Sequence, residues 1–191
     1  MTTQGLLRHI VGALDTAGIP YMLTGSLAGA YHGAGRSTMD IDVVIDPTAD
    51  SLRALLSALP ADRFYVSREA AEIALRDRGQ FNVIEIASGW KFDLLIRKDT
   101  AFAECEFARR IQGEVDGVPL SVTSLEDVIL AKLAWARQGE SARQIEDVAA
   151  LVRVRGSELD MPYVERWIST LGVQAEWRAA TIRPGRTTRP E

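Results

Sequence analysis

The segment MDIDVVID, Met39 to Asp46, constrains the fold more than any other stretch, because it sets acids inside a run of β-branched residues. Side chains alternate along a strand, so Ile41, Val43 and Ile45 share one face while Asp40, Asp42 and Val44 share the other. The first face belongs to a core. The second must meet water, a counter-charge or a cation, since an ionised carboxylate buried without a partner is costly. A further acid, Asp93, interrupts the apolar run Trp90 to Ile96 in the same manner. The pattern therefore calls for a sheet with one packed face and one face at which carboxylates gather.

The rest of the chain supplies the means to cover that sheet. Leu6, Leu7, Ile10, Val11 and Leu14 recur at helical spacing, and Gly18 with Pro20 stops the helix. Tyr21 to Thr24 reads as a short strand, and Leu27 to Tyr31 as a small-residue helix after the Gly25-Ser26 turn. Helices are predicted over Pro47 to Leu59, Arg68 to Arg76 and Ala101 to Phe107. Phe81 to Ile86 and Trp90 to Ile96 form a predicted hairpin across Ser88-Gly89. A second joins Arg110 to Val115 with Val118 to Val122 across Asp116-Gly117. From Ser124 the pattern is helical: a capping-box-like Ser124-Leu125-Glu126-Asp127, then Ala142 to Val152 and Tyr163 to Leu171. The expected class is α+β, a mixed β-sheet with flanking helices and a C-terminal helical subdomain. Its expected parts are an α/β core over 1–122, helices packed on it over 123–178 and a basic tail over 179–191.

Composition removes several function classes. The chain has 191 residues and a formal net charge of -4, so it lacks the basic surface of a typical nucleic-acid binder outside the arginines of its tail. The single cysteine, Cys105, cannot form an internal disulfide, and no Cys/His spacing suggests zinc. No stretch approaches the ~18 apolar residues that cross a bilayer, nor does the start read as a signal peptide, so a cytoplasmic protein without membrane contact is expected.

Asp40 and Asp42 can converge on one cation, and Asp93 joins them if its strand lies alongside. Such oxygen donors suit magnesium, and a triad of this kind can hold two ions about 3.5–4 Å apart. Gly25 and Ser26 stand at a strand-to-helix turn, where free amides favour an anion such as a nucleoside triphosphate. The Ser26 hydroxyl either donates to phosphate or caps the helix. Arg36 either fixes the carboxylates and phosphate or makes an exposed ion pair.

Gly25-Ser26 followed by Asp40-x-Asp42 and a later strand aspartate resembles the nucleotidyltransferase superfamily that includes DNA polymerase beta. Ser124 to Asp127 leading to Lys132, Arg137, Arg143 and Asp147 looks like the helical motif of the AbiEii/AbiGii toxin-type nucleotidyltransferases, with Gln144 standing where a charged residue is usual. The resemblance implies metal-dependent transfer of a nucleoside monophosphate from an NTP to an acceptor hydroxyl, with Mg2+ on Asp40, Asp42 and Asp93. It also implies Lys132 and Asp147 near the nucleotide or second substrate, an RNA or protein acceptor, and a cognate antitoxin partner. Small-molecule (antibiotic) nucleotidylation shares that chemistry; a non-catalytic nucleotide-binding protein would share only the fold.

Other residues have plainer readings. Lys132 neutralises phosphate or decorates a helix flank with its ammonium outward, and Asp147 either serves the site or pairs with Arg143 at i, i+4. His32 is structural, Glu85 solvated, and Trp135, Trp167 and Trp177 serve helix packing.

Overall fold

The computed structural model describes residues 3–34, 40–139 and 141–182. Helix α1 (Thr3–Thr16) leads into β1 (Tyr21–Leu23), α2 (Gly25–Tyr31) and β2 (Asp40–Ile45). Then follow α3 (Ala49–Ala58), β3 (Phe64–Val66), α4 (Arg68–Asp77), β4 (Gln80–Glu85) and β5 (Lys91–Ile96). Helix α5 (Ala101–Ala108), the hairpin β6 (Ile111–Val115) and β7 (Val118–Val122), and helices α6 (Leu125–Gly139), α7 (Ala142–Arg155), α8 (Met161–Leu171) and α9 (Gln174–Thr181) complete it. The sheet runs β3-β4-β5-β2-β1-β7-β6. It is mixed: β2 and β5 are parallel, as are β1 and β7, while the other neighbours are antiparallel.

The alternation in β2 decides which face is packed. Ile41, Val43 and Ile45 are buried, and Leu7, Ile10 and Leu14 of α1 close over Val43 and Phe92. A single apolar core continues from this layer into Leu130, Leu133, Val148, Val164 and Trp167 of the C-terminal helices. Helix α9 runs to Thr181, past the position 178 at which the sequence pattern ends the helical part. Residues 183–191 of the tail and Arg36 lie outside the described residues.

Local chemistry sets the element ends. Thr48 and Ser51 form a reciprocal capping box at α3. Asp116 and Gly117 both adopt positive φ, 50° and 72°, the geometry of a two-residue hairpin turn between β6 and β7. Ser124 Oγ accepts from the Asp127 amide at 3.3 Å and donates to the Asp127 carboxylate at 2.7 Å. That carboxylate, fully buried, also accepts from Tyr163 Oη at 2.6 Å and Arg109 Nε at 3.2 Å, tying α5 and α8 to the start of α6. Since α6 carries Lys132, this knot fixes where that lysine sits.

Two strand-end details differ from the sequence reading. The edge strand β3 has only three residues, too short to leave a readable alternation. Glu85 is 3% exposed rather than solvated: it accepts from the Ser88 amide at 3.0 Å and faces Arg63 at 3.5 Å, closing the β4–β5 turn. Trp135, expected in helix packing, is 54% exposed, whereas Trp167 packs edge-on against Phe102 and Tyr163. Among the described residues no helix is long and apolar enough to cross a membrane.

Candidate active site

Strands β2 and β5 run side by side, with Asp42 opposite Asp93 and Asp40 opposite Lys91. Neighbouring strands lie about 4.8 Å apart, so opposite residues on one face share the space above the sheet. All three acids therefore rise from one face. Asp93 is flanked on its other side by Asn82 of β4, whose Nδ2 donates to Asp93 Oδ1.

Gly25 is shaped by Asp42. It has φ 65°, and a Cβ built there would lie 2.0 Å from Asp42 Oδ2. The backbone amide of Ser26 hydrogen-bonds the Asp42 carboxylate, and the Thr24 amide donates to the Asp42 carbonyl at 2.9 Å. The Gly25-Ser26 turn is thus a cradle for a carboxylate before it is anything for a phosphate, and the Ser26 amide already has its acceptor.

Burial, then the charges of Asp93 and Asp40, push the Asp42 pKa up; the Ser26 amide and the Lys132 ammonium act against that rise. Like charges held this close mark a place where a cation is stabilised. Asp40 is exposed, its side chain at 57%, and is paired at 3.5 Å with Lys91 Nζ, which also reaches Asp93 Oδ2 at 2.9 Å. The Asp93 hydrogen bond holds the Lys91 ammonium above its ordinary pKa. Among the described residues no group of three or more His, Cys, Asp or Glu side chains is gathered closely enough to hold a metal ion. The facing pair Asp42 and Asp93 does fit a hard divalent cation, because magnesium typically takes one or two carboxylates and completes its shell with water and phosphate oxygens.

Of the two readings for Lys132, a flank residue with its ammonium outward is the one the structure overturns. The lysine is 4% exposed, and its Nζ donates to Asp147 Oδ2 at 2.7 Å and to Gln144 Oε1 at 3.1 Å. Asp147 is thereby engaged by Lys132 across α6 and α7, where the i, i+4 reading offered Arg143. Gln144, the uncharged residue of the motif, is a partner of the lysine. The stem passes Gly29 of α2, where a Cβ would stand 3.3 Å from Lys132 Cε. On the far end of α2, His32 Nε2 bonds the Thr123 carbonyl at 2.8 Å, pinning the helix to β7.

Lys91 and Asn82 had no role in the sequence reading, and Gln144 entered it only as the uncharged position of the helical motif. Lys91 was legible in principle, since Lys91-x-Asp93 repeats the period-two spacing of Asp40-x-Asp42. Asn82 was not, because its place beside Asp93 depends on hairpin register.

No family model matches the sequence, and no curated protein matches it. Solved structures do match. The antibiotic-resistance factor ANT(2'')-Ia in solution aligns with a TM-score of 0.60 at 20% identity, covering 92% of this chain and 95% of that one. Its complex with adenylyl-2''-tobramycin aligns over 91% and 99% with the same TM-score. An antigenic nucleotidyltransferase-like protein from Paracoccidioides brasiliensis aligns at 0.56 and 15% identity over 93% and 90%. The lincomycin-bound lincosamide antibiotic adenylyltransferase LnuA aligns at 0.53 and 13% over 81% and 98%. The chain has the nucleotidyltransferase fold.

Proposed function

We propose that the protein transfers a nucleoside monophosphate from an NTP to the hydroxyl of a small-molecule acceptor. The observation that carries this reading is the in-register pair Asp42 and Asp93, held beside the Gly25-Ser26 turn on the carboxylate-bearing face of a nucleotidyltransferase-type sheet. Asp42 and Asp93 would hold Mg2+, which when bound polarises the triphosphate and steadies the leaving pyrophosphate. Gly25 and the Ser26 amide orient Asp42, and Asn82 orients Asp93. The acceptor oxygen forms a bond to the α-phosphorus, the bond to pyrophosphate breaks, and the hydroxyl proton passes to a carboxylate of this face.

A small acceptor is favoured over RNA by charge. The net charge of -4 gives the chain no general attraction for a long polyanion, and ANT(2'')-Ia and LnuA, which share the fold, are antibiotic-resistance and antibiotic-modifying proteins. A toxin-type role on RNA or protein, with an antitoxin partner, is the second reading; the meeting of Lys132 with Asp147, the two residues that motif singles out, favours it.

The test is incubation with each NTP labelled at the α-phosphate, Mg2+, and either a panel of aminoglycosides and lincosamides or total RNA and protein. Label on a small acceptor with release of pyrophosphate is the expected result. Label on RNA or protein would shift the reading to the second; NTP binding with no labelled acceptor would leave a binding protein.

A further inference from the structure

We infer that Lys91 is a resident cation of the carboxylate face, filling its Asp40–Asp93 half so that the site takes one divalent ion, at Asp42–Asp93, rather than two. This rests on the reading of that face as a metal site.

The four residues form a square. Asp40 and Asp42 project from β2, Lys91 and Asp93 from β5, with Asp40 opposite Lys91 and Asp42 opposite Asp93. Three corners are acidic and one is basic. The Lys91 ammonium is bonded at 2.9 Å to Asp93 Oδ2 and lies 3.5 Å from Asp40 Oδ1, so it bridges two strands rather than pairing along one. A second divalent ion set between Asp40 and Asp93 would have to break both contacts and displace a like-charged ammonium from between the two carboxylates.

Charge gives the same count. Three carboxylates carry three negative charges, Lys91 removes one, and the remainder matches a single divalent ion. Asp42 is the one acid of the three with no ion pair to Lys91, and it stands directly opposite Asp93. Asp93 can serve both cations, since each carboxylate oxygen has two lone-pair sites and Asn82 with Lys91 takes one on each. The lysine is also a poor strand residue by intrinsic preference, and its side chain is 36% exposed, so packing alone does not account for its place.

The experiment titrates the full chain with Mn2+ alone and reads free Mn2+ by electron paramagnetic resonance, with isothermal calorimetry in parallel. The wild type should bind one ion per chain. Lys91→Met should bind two, the first about tenfold more tightly than in the wild type, because a neighbouring positive charge is gone. Lys91→Arg should return to one. Lys91→Gln repeats the Lys91→Met arm if the methionine variant does not fold, as judged by circular dichroism. Two ions in the wild type, or unchanged stoichiometry and affinity on removing the lysine charge, would overturn the role of Lys91 while leaving the metal site standing. No ion bound by the wild type would remove both.

Discussion

The Asp42 carboxylate occupies the volume that any side chain at Gly25 would need, with only 2.0 Å between Asp42 Oδ2 and an ideal Cβ at that glycine. Positive φ adds a second demand for glycine at the same position. Gly25→Ala should therefore lose roughly 2 kcal/mol or more, from the left-handed backbone and the displaced carboxylate together. It should also abolish nucleotidyl transfer, whereas Ser26→Ala, which keeps the amide, should retain most of both. Urea unfolding and turnover measured side by side check this; a Gly25→Ala protein with wild-type turnover would show that Asp42 need not sit where it does.

Asp93 and its support should separate by the size of their effects. Asp93→Ala should remove transfer while the chain stays folded, since relief of repulsion with Asp42 offsets lost contacts. Asn82→Ala leaves the carboxylate but frees its Oδ1, and turnover should fall about tenfold to a hundredfold, as is typical when a residue that orients a metal ligand is lost. Steady-state kinetics with the labelled acceptor separate the two, and unchanged NTP affinity in Asn82→Ala confines its effect to orientation.

Lys132 should behave as a structural cation as much as a site residue. Its side chain is 5% exposed and that of Asp147 13%, so removing one partner leaves the other charge buried. Lys132→Met or Asp147→Leu alone should cost about 3–5 kcal/mol, and the double variant should recover much of that loss. Denaturant midpoints of the two single variants and the double complete the cycle. Full loss of transfer in a well-folded double variant would add a role for the lysine charge at Asp42.

Stability should fall as pH rises from mildly acidic to alkaline, and Glu106 should be a source of the slope. Burial, reinforced by the charge of Asp127, pushes its pKa from 4.5 up to about 8. Between those values the folded chain holds a proton that the unfolded chain has released, so folding is favoured at low pH and weakened as pH climbs through about 8. Glu106→Gln should flatten that part of the profile, its advantage over the wild type growing from pH 5 to pH 8 by up to a few kcal/mol. Thermal unfolding of both proteins at the two pH values measures it; parallel profiles would place the ionised Glu106 in a solvated setting.

Much of this molecule is local and so was legible in its sequence. Alternation in Asp40 to Ile45 assigned the two faces of β2, Asp116-Gly117 marked a hairpin, and the helical periods of α1, α3 and α6 marked what covers the sheet. These follow from the periods of 2 and 3.6 residues and from turn stereochemistry, which need no knowledge of distant neighbours. Tertiary structure decided the rest. Only the parallel register of β2 with β5 brings Lys91 between Asp40 and Asp93, and only hairpin register brings Asn82 to Asp93. Only the crossing of α6 over α2 and α7 buries Lys132 against Gly29 and gives its ammonium to Asp147 and Gln144. A residue type and its spacing determine which face a charge leaves the chain from; which opposite charge awaits it depends on strands and helices far apart in sequence, whose relative placement is fixed by packing of the whole core.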